Sequence, residues 1–224
     1  KYACQKAGVL VVTGDTKVVE KGKGDKIFIN TTGIGTMHPR AKISTDFIET
    51  GDKIIVSDQI ATHGMAILSV REGLEFETSI ESDTTNLNFT IKELLDEFGE
   101  DIHLFRDPTR GGVSSTLNEI ARDISKGMVL DENAIPIDDQ VKAACEILGL
   151  DPLYTANEGV FIAFVKSDVA PGFIEKLHTL ENGSRAAIIG EVVDEHPKKV
   201  VISNAMGGKR VVSMQIGEQL PRIC

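Results

Sequence analysis

The chain is poor in cysteine and shows no pairing pattern. Cys4, Cys145 and Cys224 make an odd count, and no CxxC pair occurs. That argues against a disulfide framework and against a structural zinc site, and it suits a reducing cytosol, hence a cytoplasmic protein. Positive charge is also scarce. Lys and Arg number 24 against 34 Asp and Glu, a net charge of −10. This balance argues against a nucleic-acid backbone as partner, since phosphate binding needs a positive surface. No apolar run approaches the roughly 18 residues that a membrane span requires. There is no initiator Met, no signal peptide, no repeat and no low-complexity segment. The first residues, Lys1 to Gly8, read as the end of a helix closed by Gly8. A chain that opens at the end of an element is expected to lack a preceding portion.

What is present, 224 residues of which 41% are hydrophobic and 26% charged, suits one or two globular domains. Val9 to Val12 reads as a buried strand. A Lys/Gly turn follows, and Lys26 to Thr31 reads as its antiparallel partner. From Gly33 to Asp52 the chain is loop-rich. Beyond it strands and helices alternate. Strands are expected at Lys53–Val56, Ile102–Phe105, Gly159–Val165, Ala186–Val193, Val200–Ser203 and Lys209–Ser213. Helices are expected at Gly64–Val70, from Leu87 to Phe98, from Gly111-Gly112 to Ile124, from Asp138 to Leu148, and after an Asp168 cap. The second unit is therefore α+β, a layered α/β domain. Cys145 falls on an apolar helical stripe with Val141, Ala144 and Leu148 and reads as core packing.

Three segments carry groups suited to chemistry. In Thr13-Gly14-Asp15-Thr16-Lys17, the glycine lets backbone approach a ligand, Asp15 is a hard oxygen ligand for Mg2+, and Lys17 is a point charge for phosphate or a developing anion. A simple turn would use the same residues. In Arg106-Asp107-Pro108-Thr109-Arg110-Gly111-Gly112-Val113, two glycines open a helix and free its first N–H groups for an anion, Arg110 adds a fork of donors, and Asp107 could hold a metal. The segment matches neither a Walker A loop nor a dinucleotide fingerprint. In Thr155-Ala156-Asn157-Glu158-Gly159, Glu158 stands at the lip of an apolar strand, where a carboxylate can act as a base. His63 sits at a helix start and could contact an anion or be structural. The chain ends Pro221-Arg222-Ile223-Cys224, which places a thiol on its last residue. The neighbouring carboxylate should hold that thiol above its ordinary value, so it needs a basic or cationic partner to react. A prenylation signal would put Cys fourth from the end.

Taken together, Gly14-Asp15-Thr16-Lys17-Val18-Val19, Asp107-Pro108-Thr109-Arg110-Gly111-Gly112, Ala156-Asn157-Glu158-Gly159 and the terminal Pro-Arg-Ile-Cys resemble the HypE family of hydrogenase maturation factors. These are carbamoyl dehydratases of the ATP-dependent superfamily that includes aminoimidazole ribonucleotide synthetase, selenophosphate synthetase and thiamine-monophosphate kinase. The resemblance covers the whole chain. It departs at Ala61-Thr62-His63-Gly64, where the family carries Gly-Asp-His-Gly.

The resemblance implies a domain division. Residues 1–44 would be the remnant of a β-rich N-terminal ATP-binding domain, 45–216 a C-terminal α/β domain, and 217–224 a mobile tail bearing Cys224. It implies ATP and Mg2+ as cofactors. Thr13, Gly14, Asp107, Thr109, Arg110, Gly111 and Gly112 would bind ATP, and Asp15 and Asp107 would hold Mg2+. Cys224 would carry the substrate, with Lys17 stabilising an anion and Glu158 removing amide protons. Implied partners are the carbamoyltransferase HypF and the HypC-HypD iron scaffold, with a homodimer in the longer protein. The chain by itself is expected to hydrolyse ATP weakly or not at all. Two other readings stay open at this point: a small-molecule kinase or synthetase of the same superfamily, which needs no terminal thiol, and a non-catalytic docking fragment.

Overall fold

The computed structural model describes residues 1–24, 27–72 and 80–215. Among these, helices α1 (Tyr2–Ala7), α2 (Thr62–Glu72), α3 (Asn88–Phe98), α4 (Gly112–Ile124), α5 (Asp139–Leu148) and α6 (Ala170–His178) accompany seven strands. The strands are β1 (Lys53–Val56), β2 (Ile102–Arg106), β3 (Gly127–Asp131), β4 (Ile162–Val165), β5 (Ala187–Val193), β6 (Val200–Ser203) and β7 (Lys209–Val212). They form one mixed sheet of order β2-β4-β1-β5-β3-β6-β7. Only β3 and β6 pair in parallel. Only β6 and β7 are neighbours both in sequence and in the sheet.

Alternation along the strands fills two layers. Ile54 and Val56 of β1, with Ile162 and Phe164 of β4, face a core built with α2, α4 and α5. Ile55, Ala163 and Val165 turn to the opposite face and meet Leu94 of α3 with Phe173 and Leu177 of α6. That two-residue period lets one strand serve both cores. Each fully buried Phe or Ile contributes about 1.5–3 kcal/mol by leaving water.

Most expected elements form. Gly8, Gly111 and Gly149 sit in the left-handed region at helix ends. Asp138 caps α5, its carboxylate accepting from the Gln140 N–H at 2.9 Å. Two expectations fail, and one strand carries no sequence signal. Asp168 does not cap α6, whose flanking residue is Val169, because Lys166 O takes up the N–H groups of Val169 and Ala170 in a turn before Pro171. Strand β3 escaped notice because a Ser125 residue at φ 57 ends α4 with no glycine signal. Finally, no strand forms at 9–12 or in the described part of 26–31. Leu10, Val12, Ile27 and Phe28 are exposed. Neither segment has a neighbouring strand among the described residues, and an isolated two-stranded pair is marginal at best in water.

Both ends of this open stretch are fastened to α3. At the helix start, Asn88 Nδ2 donates to Ala7 O at 2.9 Å. At its end, His38 Nε2 lies 3.0 Å from Asp96 Oδ1, and Arg40 donates to the carbonyls of Asp96 and Glu97. Lys42 pairs with Glu100 at 2.7 Å.

Candidate functional site

The loop from Arg106 to Gly112 joins the end of β2 to the start of α4. Gly111 has φ 76 and Gly112 φ 60. A Cβ on Gly112 would stand 2.5 Å from Leu153 O and 2.6 Å from Thr155 O. Only glycine tolerates both the backbone angle and the close approach. The Gly112 N–H donates to Thr109 O at 3.0 Å. The Ser115 N–H donates to Gly111 O at 3.1 Å, while the N–H groups of Val113 and Ser114 precede the helical ladder and with the helix dipole suit an anion. Arg106 is drawn onto α4 by Glu119 at 3.0 Å. Asp107 and Arg110 are exposed at the rim, and Thr109 is half-buried.

The loop from Thr155 to Gly159 is fixed to this segment by Asn157, which is fully buried. Its backbone N–H donates to Pro108 O at 3.3 Å. Its Nδ2 donates to Pro108 O at 2.9 Å and to Thr155 O at 3.1 Å. Its Oδ1 accepts the Ala61 N–H at 2.7 Å. One carboxamide thus binds three loops. The start of α2 is held further by Gly64, whose N–H donates to Ala156 O at 3.0 Å.

Glu158, half-buried, follows immediately. Its N–H donates to Asp83 Oδ1 at 3.1 Å. A Cβ on Gly159 would stand 1.8 Å from Asp83 O, so this approach also requires glycine. Burial pushes the Asp83 carboxyl above its ordinary value, while the N–H groups of Glu158 and Gly159 and the nearby His63 pull it back. Asp83 Oδ2 is buried without a hydrogen-bond partner, an unusual state for a polar atom. His63 is buried, with Nδ1 2.8 Å from Ser82 Oγ.

Through the Asn157–Pro108 contacts the structure therefore sets the loop that carries Asp107, Thr109, Arg110, Gly111 and Gly112 against the segment that carries Glu158. Thr13, Gly14, Asp15 and Lys17 lie on the exposed stretch, where Asp15 Oδ1 accepts the Thr16 N–H at 2.8 Å. Cys224 lies outside the described residues. Sequence reasoning passed over Asp83 altogether, because Glu81-Ser82-Asp83-Thr84 carries no motif. It quoted Asn157 without a role, although a carboxamide between two glycine-bearing loops is a signal for a multi-loop hydrogen-bonding hub. Among the described residues, no group of three or more His, Cys, Asp or Glu is placed to hold a metal. Asp15 and Asp107 thus form no closed metal cage among the described residues. The glycine loop at the start of α4 does fit a phosphate group.

Comparison with known proteins bears on the family and the fold. Residues 49–203 match the family described as AIR synthase related protein, C-terminal domain. The chain is 50% identical over 222 residues to the carbamoyl dehydratase HypE of Azotobacter vinelandii, covering 99% of this chain and 65% of that protein. It thus spans about 65% of the length of that curated relative. A solved hydrogenase maturation protein HypE in complex with ATP superposes with a TM-score of 0.94 at 44% identity, covering 100% of this chain and 68% of the other. A HypE–HypF complex gives 0.91 at 44% identity, with coverages of 96% and 69%. Among the described residues, no helix is long and apolar enough to cross a membrane. A shared α+β architecture, a glycine-lined helix start and this degree of identity over nearly every residue lead to one conclusion: the chain belongs to the HypE family of hydrogenase maturation proteins and carries the AIR synthase related C-terminal domain.

Proposed function

We propose that this chain serves the ATP-dependent dehydration of a carbamoyl group held on the Cys224 sulfur to a thiocyanate. The product would supply cyanide ligands for assembly of the nickel-iron hydrogenase centre. The observation that carries the reading is the Asn157 junction. It presses the glycine loop of α4, fit for phosphate, against the segment that bears Glu158.

Bound ATP would supply a phosphoryl group that converts the amide oxygen into a leaving group. In the overall change the C–O bond breaks and the oxygen departs with phosphate. The nitrogen gives up two protons as the C≡N bond forms, and the C–S bond is kept. Glu158 would accept an amide proton, its carboxylate held at the edge of the buried β4 approach. Gly111, Gly112, Thr109 and Arg110 would orient the phosphate chain, with the first-turn N–H groups of α4 facing it. Thr13, Gly14 and Asp107 would bind ATP and Lys17 would stabilise an anion, as the family resemblance implies; Asp15 and Asp107 could hold Mg2+ only with further ligands beside them. Lys17 would reach the site when the stretch 9–37 gains the strand neighbours it lacks here. In this reading residues 1–44 complete an ATP-binding domain, 45–216 form the unit described above, and 217–224 carry the substrate. HypF would donate the carbamoyl group and HypC-HypD would accept the cyanide, with a homodimer in the longer protein. The chain by itself would turn over ATP weakly or not at all.

The test is mass spectrometry of the C-terminal peptide after incubation of the intact protein with the carbamoyl donor system and ATP. A carbamoyl-sized gain followed by loss of water is expected, and Cys224→Ala should abolish both while ATP binding survives. Dehydration that persists in Cys224→Ala removes the carrier role.

A further inference from the structure

Helix α4 starts at the glycine loop, and four of its buried side chains are polar: Ser114, Ser115, Thr116 and Asn118. Ser114 and Asn118 are 1% and 8% exposed, in the company of Val113, Leu117 and Ala121. Four residues apart, they share one side of the helix. Both are committed to the chain that leaves β7. Asn118 Nδ2 donates to Val212 O at 2.9 Å, and Ser114 Oγ donates to Ser213 O at 2.8 Å. Two residues later, Gln215 Oε1 lies 2.9 Å from the point where a Cβ on Gly111 would stand. The carbonyls of 212 and 213 and the side chain of 215 meet α4 at 118, 114 and 111 in turn, while the Met214 side chain points back along the helix to Arg122, whose guanidinium donates to its sulfur at 2.8 Å. Seven residues of helix rise about 10 Å, and three residues of extended chain cover about 10 Å. The two rises match, so the contacts stay in step.

From this we infer that α4 is a rail for the C-terminal segment, and that Ser114 and Asn118 are positioning residues that deliver the tail to the phosphate loop. The inference rests on the functional reading above and adds to it how the carrier reaches its site. Cys224 is nine residues beyond Gln215, a reach of at most about 30 Å from that departure point. Starting at Gly111 keeps the thiol concentrated near the site, because effective concentration falls steeply as the span and the tether cease to match. The polar pair satisfies the carbonyls of Val212, the last residue of β7, and of Ser213, the first beyond it, and so fixes where the chain departs from the sheet.

The experiment compares Ser114→Ala, Asn118→Leu and the double variant in the intact protein. One arm follows dehydration of the protein's own carbamoylated Cys224. The other supplies a carbamoylated peptide of residues 216–224 at saturation to the same variants in a Cys224→Ala background. The rail predicts a loss of about tenfold in the first arm and little change in the second, since only the tethered substrate depends on the departure point. Equal losses in both arms, or no loss in either, overturn it. Ser114→Ala removes a single hydroxyl and keeps the test open should the double variant fail to fold. A nitroxide on Cys224, with Cys4→Ala to avoid a second label, reads the rail without turnover. It should broaden the amide signals of Gly111 and Gly112 in the parent and broaden them less in the variants; unchanged broadening sinks the rail. If the parent dehydrates neither substrate, the functional reading fails, and the broadening alone decides the rail.

Discussion

The N–H of Ala61 donates to Oδ1 of Asn157 at 2.7 Å, and Ala61 holds φ 71, in the left-handed region that alanine rarely adopts. The side chain of one loop thereby steadies a strained residue of another. Backbone in that region costs roughly 1–2 kcal/mol for a residue with a Cβ. Removing the carboxamide would leave that strain in place, with the Ala61 N–H and the Pro108 and Thr155 carbonyls short of partners.

Asn157→Ala should therefore destabilise the fold by about 2–4 kcal/mol, on the scale of one to three kcal/mol for each buried polar group left unpaired. Urea unfolding measures this directly. Asn157→Asp keeps the acceptor for Ala61 but sets a carboxylate oxygen against two carbonyls, and it should lose comparable stability. A change under about 0.5 kcal/mol for both, the range of ordinary surface substitutions, would show that the junction does not hold the loops.

The Asp83 carboxyl gives stability a definite pH dependence. Burial raises its folded-state value above the ordinary 3.8. The folded chain then holds more protons than the unfolded one across that interval. Stability from this group falls as pH climbs from 3.8 through the raised folded value and is flat above it. Asp83→Asn should cancel that slope and keep the acceptor for the Glu158 N–H. The stability gap between variant and parent should widen in the variant's favour as pH rises from 3.8 and level off above the raised folded value. A gap that stays constant across the titration rules out a raised carboxyl at this position.

Cys145 is buried, and its thiol is pushed up to about 11, first by burial and then by the negative charges of Asp151 and Glu146. Thiolate population falls about tenfold per unit, so Cys145 should alkylate more than about 100-fold more slowly than an ordinary thiol near pH 8. Peptide mapping after brief iodoacetamide treatment should find Cys4 modified, since it is partly exposed, and Cys145 intact. Equal labelling would mean that the packing of α5 opens readily.

Much of the fold was legible because local chemistry and tertiary packing agree. Val113, Leu117, Ile120 and Ala121 announce α4 by their spacing, and all four are buried. Gly111-Gly112 announces its start, and the structure supplies the reason in the 2.5 Å approach of Leu153 O. Val9–Val12 shows the opposite case. Its apolar run is as strand-like as that of β1, yet a strand is a property of a pair, and the described chain gives it no neighbour. The site was legible in its loops and illegible in its joinery. Asp83 meets Glu158 across a sequence separation of 75 residues, and nothing local to either residue records the meeting.

The order of the sheet sets which part of it is easiest to undo. Every pairing but one joins strands separated by intervening elements, so those strands must be assembled by long-range closure. The exception is the β6–β7 hairpin, and β7 is also an outer strand. Unzipping it exposes few apolar side chains, for Lys209, Arg210 and Val211 already face water. Local opening favours such lightly buried units. The strand that leads toward Cys224 is thus an edge whose parting would uncover little as far as Val211, and the Asn118 clasp on Val212 marks where that parting would halt.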